Sequence, residues 1–275
     1  MTGRRGSLAV VSTPIGNLAD LSLRAVDVLR SVDVILAEDT RHSAVLLAHY
    51  GVATRVEAYH EHNEAASAPR IVRRLTEGAR MALISDAGTP LLSDPGARLV
   101  RAAIDAGIPV VPIPGASALL AALVGAGLPL DRFTFLGFLE RKGRARTEAV
   151  QAVVASRWTC VLYEAPGRVA GLLSALRDAG AGDRPAVVAR ELTKQFEEFQ
   201  RGTVTDLARR FADAPPRGEV VVVIGAAVSP EPDAASIARR ARELRAAGMS
   251  ARDVTRVLCE EMGAPRNLAY RLAHE

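Results

Sequence analysis

Five short apolar segments recur through the first 113 residues, and a stretch with helical periodicity separates each from the next. Apolar strands that alternate with helices are typical of βαβ units, which build a mainly parallel sheet with helices on its faces. The predicted strands are residues 8–12, 34–37, 55–59, 81–84 and 110–113, and the predicted helices are residues 23–32, 43–50, 64–77 and 97–106. The sequence therefore predicts an α/β domain over residues 1–117.

The pattern changes after residue 129, because the later apolar segments are not each followed by a helix. Predicted strands lie at residues 133–139, 159–163, 186–191, 196–203 and 220–224. The third and fourth are so close in sequence that we expect them to pair antiparallel, since a parallel crossover needs a dozen or more residues. The sequence therefore predicts a second α/β domain with a mixed sheet over residues 118–228.

The last part of the chain is predicted to be helical. Residues 229–232 read Ser-Pro-Glu-Pro, which is typical of a linker. Helical patterns follow at residues 234–247, 251–263 and 265–273. Gly248 and Ser250 separate the first two as a carboxyl-terminal and an amino-terminal cap. A tail resembling a helix-turn-helix is expected over residues 234–275, and its arginines fit either a solvated helix face or an RNA-binding surface.

The charge balance is mildly basic, and nearly all of the cations are arginine. The 275 residues carry 35 lysines and arginines against 31 acidic residues, and Lys142 and Lys194 are the only lysines. The planar fork of arginine suits phosphate recognition, although GC-rich coding explains the same bias equally well. Two lysines retained in such a chain favour contacts with phosphate or ribose at those positions.

Neither a metal site nor a membrane span is predicted. Cys160 and Cys259 lie far apart and form neither a disulfide framework nor a zinc motif, which favours a reduced, cytoplasmic protein. His60 and His62 lack a third ligand nearby, so a loop or strand end is their expected setting. The uncharged run over residues 108–130 contains four prolines. We therefore interpret it as a strand, a turn and a buried helix.

Four predicted strands end in turns that are rich in small and polar residues. The longest, residues 84–96, contains two Ser-Asp pairs, two prolines and two glycines, and the others occupy residues 12–18, 38–41 and 114–118. One such turn could simply cap a helix, as Asp39 is placed to do. The carboxyl ends of parallel strands are also where open α/β sheets bind ligands. The set of four therefore predicts a crevice for a small molecule.

Six motifs, in this order, closely resemble those of one family. They are TPIGNL (13–18), EDTR (38–41), SDAGTPLLSDPG (85–96), FLGFL (135–139) followed by Lys142, YEAPGR (163–168) and RELTK (190–194). From residue 8 to about residue 226 the chain is similar to the S-adenosylmethionine (SAM)-dependent methyltransferases of the tetrapyrrole-methylase fold. Within them it most resembles the enzymes that act on small-subunit ribosomal RNA. It departs from their pattern at Glu140, where proline is usual, and at Gly167, where histidine is usual.

The resemblance implies two α/β domains with the SAM cleft between them, followed by a helical extension. It implies 2′-O-methylation of a cytidine in the decoding region of 16S rRNA, within the small ribosomal subunit, by a cytoplasmic homodimer. Two alternatives stay open. The first is a methyltransferase that methylates carbon in a tetrapyrrole such as a precorrin, and the second is a non-catalytic RNA-binding assembly factor.

The same motifs supply the expected site residues. Those expected to bind SAM are Pro14, Ile84, Ser85, Asp86, Thr89, Ser117, Ala118, Tyr163 and Leu192. Asp39 and Glu191 are the hypothetical acceptors of the hydroxyl proton, and Lys194 is placed with them at the catalytic centre. The cations expected to contact RNA are Arg41, Arg141, Lys142, Arg144 and Arg146.

Overall fold

The computed structural model describes residues 6–227 and 234–275. The chain falls into two compact units, Met1–Ala226 and Ala227–Glu275. The first unit contains two five-stranded sheets, and the second is helical. This confirms the predicted α/β class with a helical carboxyl-terminal part. The boundary between residues 117 and 118 stays a prediction, and the linker predicted at residues 229–232 lies outside the described residues.

The first sheet is wholly parallel. Its strands are β1 (Ser7–Val11), β2 (Val34–Ala37), β3 (Val56–Ala58), β4 (Arg80–Ile84) and β5 (Val110–Ile113). The connecting helices are α1 (Leu23–Ser31), α2 (Thr40–His49), α3 (Glu61–Thr76) and α4 (Ala97–Asp105). The spatial order of the five strands is β3-β2-β4-β1-β5. The turns that follow β2, β4, β1 and β5 therefore lie side by side at one edge of the sheet.

Both faces of the sheet are covered at its central strands β2 and β4, which explains why these two strands are almost wholly apolar. Alternate side chains of a strand point to opposite faces. In β4, Ala82 and Ile84 pack in the cluster that contains α1 and α2. Met81 and Leu83 pack in the cluster that contains α3 and α4.

The second sheet is mixed, as predicted. Its strands are β6 (Phe133–Phe138), β7 (Thr159–Glu164), β8 (Pro185–Arg190), β9 (Glu198–Thr203) and β10 (Val220–Ile224). The order is β6-β7-β10-β8-β9, and among the pairs of neighbouring strands only β6–β7 is parallel. The helices are α5 (Ala118–Ala126), α6 (Arg144–Ala155), α7 (Val169–Leu176) and α8 (Val204–Asp213). Helix α5 covers one face together with Ile15 from the turn after β1, whereas α6, α7 and α8 cover the other.

The second unit consists of α9 (Ala234–Ala246), α10 (Ala251–Met262) and α11 (Arg266–His274). The three helices share an apolar core that includes Ile237, Val254 and Leu258. The Ser250 hydroxyl caps α10 by accepting a hydrogen bond from the backbone N of Asp253 (3.2 Å), as predicted. Within the described ranges, no helix combines the length and the apolar character needed to cross a membrane.

Two helices of the first unit begin earlier than predicted, because side chains at their starts bind backbone N–H groups. The Asp39 carboxylate accepts from Arg41 N (2.8 Å), so α2 begins at Thr40 and not at residue 43. The Asn63 side chain accepts from His60 N (3.0 Å), and α3 begins at Glu61 and not at residue 64. The loop or strand end predicted for residues 60–62 is therefore wrong for its last two residues, which are helical.

Candidate functional site

The turns after β4, β1 and β5 are tied to one another by hydrogen bonds. Thr13 and Gly88 form an isolated antiparallel bridge, in which Thr13 N donates to Gly88 O (2.8 Å) and Gly88 N donates to Thr13 O (3.1 Å). The Thr89 hydroxyl donates to the carbonyl of Ala116 (3.1 Å), and its oxygen lies 3.0 Å from that of the Ser12 hydroxyl. The three turns therefore form one continuous floor.

A cavity of about 350 Å³ lies between this floor and the second sheet. Its apolar lining includes Ile15 and Leu92 from the first-sheet turns, and Leu192 and Val221 from the second sheet and its turns. Asp94 contributes a carboxyl group to the same wall as Leu92. This combination of apolar walls and few polar groups is typical of a site for a small organic molecule.

Strained backbone conformations border the cavity. In the part of the chain that the structure describes, the non-glycine residues with positive φ are Leu91, Ser93, Glu191 and Thr193. Ser93 lines the cavity, and the others flank the lining residues Leu92 and Leu192. Such conformations cost about 1–3 kcal/mol each and concentrate at ligand-binding positions.

The residues expected to bind SAM divide into three groups. Thr89, Ala118, Tyr163 and Leu192 line the cavity. A neighbouring hollow of about 240 Å³ is lined by residues that include Pro14, Ser85 and Asp86. Ile84 ends β4 with its side chain in the core, and Ser117 is buried just before α5. Their roles in binding SAM stay predictions.

Ser117 directly follows the Pro-Gly-Ala turn after β5, where a serine is expected to cap the next helix, and this expectation is wrong. Ser117 occupies the position before α5, but its hydroxyl makes no capping hydrogen bond and has no partner among the described residues. The Tyr163 hydroxyl accepts instead from Leu119 N in the first turn (3.2 Å). Ser117 therefore keeps a buried hydroxyl free at the start of α5, beside the lining residue Ala118.

Three carboxyl groups, of which only Asp86 was expected at the site, lie near one another at the ends of β2 and β4. Burial raises the pKa of Glu38, and the negative charges of Asp94 and Asp86 raise it further. Burial also raises the pKa of Asp94; the Asp86 charge adds to this, while a hydrogen bond from Ser85 opposes it. Among the described residues, no group of three or more His, Cys, Asp or Glu side chains is arranged to hold a metal ion.

The residues expected at the catalytic centre are engaged with protein partners. A hydrogen bond from Arg41 lowers the pKa of Asp39, and one from Lys194 lowers that of Glu191. The Lys194 ammonium donates to Glu191 (3.0 Å) and Glu219 (3.2 Å). Burial lowers the pKa of Lys194, but these hydrogen bonds outweigh it and leave the pKa raised. Their catalytic roles stay predictions, which these surroundings do not favour.

Lys194 also connects the two halves of the cleft. Its methylene stem packs on Gly16 in the turn after β1, where a Cβ atom would come 2.3 Å from the lysine Cγ. The side chain therefore reaches from the turn after β8 to the turn after β1. This position explains a lysine at residue 194 without any contact to RNA.

The cations expected to contact RNA differ in their availability. Arg141 and Lys142 are exposed in the loop after β6. The side chains of Arg41 and Arg144 are each 91% exposed, although each pairs with a nearby carboxylate. Arg146 differs, because its side chain is only 18% exposed and its guanidinium donates to the carbonyl of Glu140 (3.1 Å). The RNA-binding role of all five stays a prediction, and Arg146 is the least accessible of them.

A buried carboxylate anchors that loop. Glu164 lies between Arg168, whose Nε is 2.9 Å from Oε1, and Arg146, whose Nη1 is 4.0 Å from Oε2. Each arginine also donates to a backbone carbonyl of the loop: Arg168 to Leu139 (2.7 Å) and Arg146 to Glu140. We call these three charged residues the loop clamp. It fixes the start of the segment that carries Arg141 and Lys142.

The two departures from the family pattern leave the packing intact. Glu140 contributes its backbone carbonyl to the loop clamp, which a proline in its place would also offer. Gly167 is exposed, and a Cβ atom there would meet nothing within 4 Å.

This fold, with a ligand-sized cavity at the ends of its parallel strands, is shared by a class of α/β methylases. The model of the tetrapyrrole (corrin/porphyrin) methylases matches residues 7–208. The chain therefore belongs to the tetrapyrrole methylase family. Its similarity to individual relatives is also high and nearly full-length. These findings confirm the family inferred from the six motifs.

Individual relatives place the chain more narrowly. The ribosomal RNA small subunit methyltransferase I of Mesorhizobium japonicum is 47% identical over 266 residues, which cover 96% of this chain and 90% of that protein. Its namesake from Pseudomonas aeruginosa is 46% identical over 272 residues, 98% of this chain and 96% of that protein. A uroporphyrin-III C-methyltransferase from Thermus thermophilus, solved with S-adenosyl homocysteine, has a TM-score of 0.57 at 18% identity, over 80% of this chain and 97% of that chain. This last likeness concerns the fold alone.

Proposed function

We propose that this protein is a SAM-dependent methyltransferase of small-subunit ribosomal RNA. We propose further that it methylates the 2′-oxygen of a cytidine in the decoding region of 16S rRNA. The observation that carries the proposal is the cavity above the tied strand-end turns, in a chain whose relatives bear the name of such an enzyme.

The residues around the cavity fit SAM. Leu192 and Val221 offer apolar contact for an adenine ring, while Asp94 and the nearby Asp86 offer negative charge to a cationic ligand. The free, buried Ser117 hydroxyl can donate or accept a hydrogen bond at the same edge. When bound, SAM supplies an electrophilic methyl group. We expect the adenosyl part to lie against the apolar walls and the sulfonium to face the carboxylates.

The chain's contribution to such a transfer is largely positional. Transfer to an alcohol oxygen requires the attacking oxygen, the methyl carbon and the leaving sulfur to lie in line. Holding the reactants in that geometry can supply about 7–11 kcal/mol of the barrier reduction. The tied floor and the strained turns favour this role, because they hold the lining residues in one conformation before a ligand arrives.

Removing the charge of Lys142 is expected to weaken RNA binding and reduce its salt dependence. Lys142 lies in the exposed loop that the loop clamp fixes. A plot of log affinity against log salt has a negative slope. If the Lys142 ammonium neutralises one phosphate, Lys142→Ala makes this slope less negative by about 0.7, the value per phosphate for single-stranded nucleic acid. Arg24→Ala, which removes one exposed cation from α1, serves as the matched control. Equal slopes for both variants and the wild type would contradict the RNA contact.

We propose that the protein works as a cytoplasmic homodimer. The support is an apolar face on α5, where Leu120 and Val124, one turn apart, are 52% and 73% exposed. Exposed apolar side chains grouped in this way are typical of interaction surfaces. Sedimentation velocity of the full chain distinguishes a dimer from a monomer.

The function is tested by transfer of a labelled methyl group from SAM to small ribosomal subunits that lack the modification. The expected product is RNA labelled at one cytidine, and the phosphodiester bond that follows this cytidine should resist alkaline hydrolysis because the blocked 2′-oxygen cannot attack the phosphorus. Label in a precorrin substrate instead would favour the tetrapyrrole alternative. No heat of SAM binding in calorimetry, together with retained RNA binding, would favour the non-catalytic assembly factor.

A further inference from the structure

We infer that Asp94 is the residue that accepts the proton of the methylated hydroxyl group, an assignment that rests on the proposed function. The acidic residues that contribute to the cavity lining are Asp94, Glu164 and Glu219. Glu164 and Glu219 each have a cationic partner, whereas Asp94 has none in the described part of the chain.

Glu164 and Glu219 are both held by cations. Glu164 forms the loop clamp with Arg168 and Arg146. In β7 it alternates with Tyr163, whose ring belongs to the cavity side, so its side chain lies on the opposite face of the sheet. Glu219 pairs with Lys194 and is largely exposed. Both carboxylates are therefore already engaged by cations of the protein.

Asp94 has no cationic partner in the described part of the chain, and it belongs to the rigid 85–96 turn. Ser93 before it has a φ of +70°, and Pro95 follows it. The groups that face it are the carboxyls of Asp86 and Glu38, the Ser85 hydroxyl and the Tyr163 hydroxyl.

These surroundings make Asp94 a stronger base than an ordinary aspartate. Burial and the Asp86 charge raise the pKa of Asp94, whereas hydrogen bonds to cations lower the pKa of Asp39 and Glu191. A carboxylate with a raised pKa takes up a proton more readily, and general-base groups are tuned in this direction. Tyr163 does not compete for the role, because burial raises the pKa of its hydroxyl and keeps it protonated.

The proposed step balances without another reactant. The Asp94 carboxylate takes the proton of the 2′-hydroxyl as the 2′-oxygen forms a bond to the methyl carbon. The bond between that carbon and sulfur breaks, and its electron pair stays on sulfur, which becomes a neutral thioether. The protonated Asp94 then releases its proton to water. The negative charge near the cavity also favours a cationic methyl donor over its neutral product.

The test uses Asp94→Asn, which keeps the shape of the side chain but cannot accept the proton. Asp105→Asn, an exposed aspartate on α4, is the matched control. With saturating SAM and RNA, Asp94→Asn should lower the single-turnover rate by about 10²–10⁴-fold, and the control should leave it unchanged. Because Asp94 also contributes negative charge beside the expected sulfonium position, calorimetry should show a weaker affinity for SAM in Asp94→Asn, for which the saturating SAM compensates, and an unchanged affinity in the control. A wild-type rate that falls as pH drops through the raised pKa of Asp94 would agree with these results.

A second readout does not depend on turnover. With ¹³C-labelled aspartate in the full chain, one carboxyl resonance should titrate above the ordinary aspartate value of about 3.9 and be missing from Asp94→Asn. The inference is overturned if Asp94→Asn reacts at the wild-type rate, if the Asp94 resonance titrates normally, or if the variant loses only affinity for SAM. Failure of the wild type to methylate small-subunit RNA would overturn the proposed function instead.

Discussion

Replacing Glu164 with leucine should lower the free energy of unfolding by about 3 kcal/mol and weaken RNA binding as well. Removing one partner of a buried ion pair leaves the opposite charge without compensation, which costs about 3–5 kcal/mol. The lower end applies here, because Arg146 and Arg168 retain some exposure to water. The loop clamp would then lose its centre, and the segment with Arg141 and Lys142 would no longer be held in one place.

Glu148→Leu is the matched control for this change. Glu148 pairs with Arg144 one helical turn away, but its side chain is 61% exposed. Exposed pairs of this kind contribute about 0.3–0.5 kcal/mol. Urea denaturation monitored by circular dichroism measures both variants, and a filter-binding titration measures their affinity for RNA. Equal losses of stability would contradict a structural role for the buried carboxylate, and an unchanged RNA affinity of Glu164→Leu would contradict the link to the loop.

The order of the secondary structure could be predicted because it is encoded locally. Strands buried on both faces are continuous apolar runs, and helices repeat their apolar residues every three or four positions. The antiparallel pair β8–β9 was also predictable, since the few residues between the two strands exclude a crossover. The first residues of helices were harder to predict. Helices α2 and α3 begin three residues earlier than predicted, because the side chains of Asp39 and Asn63 accept hydrogen bonds from backbone N–H groups.

The candidate site could be predicted only in part, because its groups meet through the strand order. The turns that form the floor were identified individually, but the sequence does not show that β4, β1 and β5 are neighbours. For the same reason Glu38, at the end of β2, could not be linked with Asp94, which lies more than 50 residues later beside the neighbouring strand. The motifs identified Asp39 and Glu191 as candidate proton acceptors, but only the structure reveals that Arg41 and Lys194 are their cationic partners.

The loop clamp illustrates the same limit on the RNA-facing side. Arg141, Lys142, Arg144 and Arg146 are four cations within six residues, and nothing in that spacing distinguishes a solvated side chain from one facing inward. Arg146 turns inward because Glu164, at the end of β7, lies within its reach. A buried carboxylate so close to an arginine determines the direction of that arginine, since an unpaired buried charge is costly.

Replacing Gly96 with alanine should have a large effect on both stability and SAM binding. Gly96 closes the 85–96 turn with a φ of +125°, a conformation that side chains with a Cβ rarely adopt. A Cβ atom there would also lie 2.6 Å from the Cδ2 methyl of Leu83, which is fully buried in the core. The backbone strain costs about 1–3 kcal/mol, and the overpacking costs about 1–3 kcal/mol more.

The matched control is Gly107→Ala, which isolates the backbone strain from the overlap. Gly107 also has a positive φ, of +69°, but a Cβ atom there would meet nothing within 4 Å. It should therefore lose only the first of the two energies, whereas Gly96→Ala should lose both. Because relief of the overlap with Leu83 must move the turn that carries Asp94, we expect SAM affinity to fall about tenfold, or about 1.4 kcal/mol, in Gly96→Ala alone. Urea denaturation and calorimetry measure the two effects. If the two variants lose equal stability and keep equal affinity for SAM, the turn accommodates the methyl group without displacing the residues that line the cavity, which would contradict this prediction.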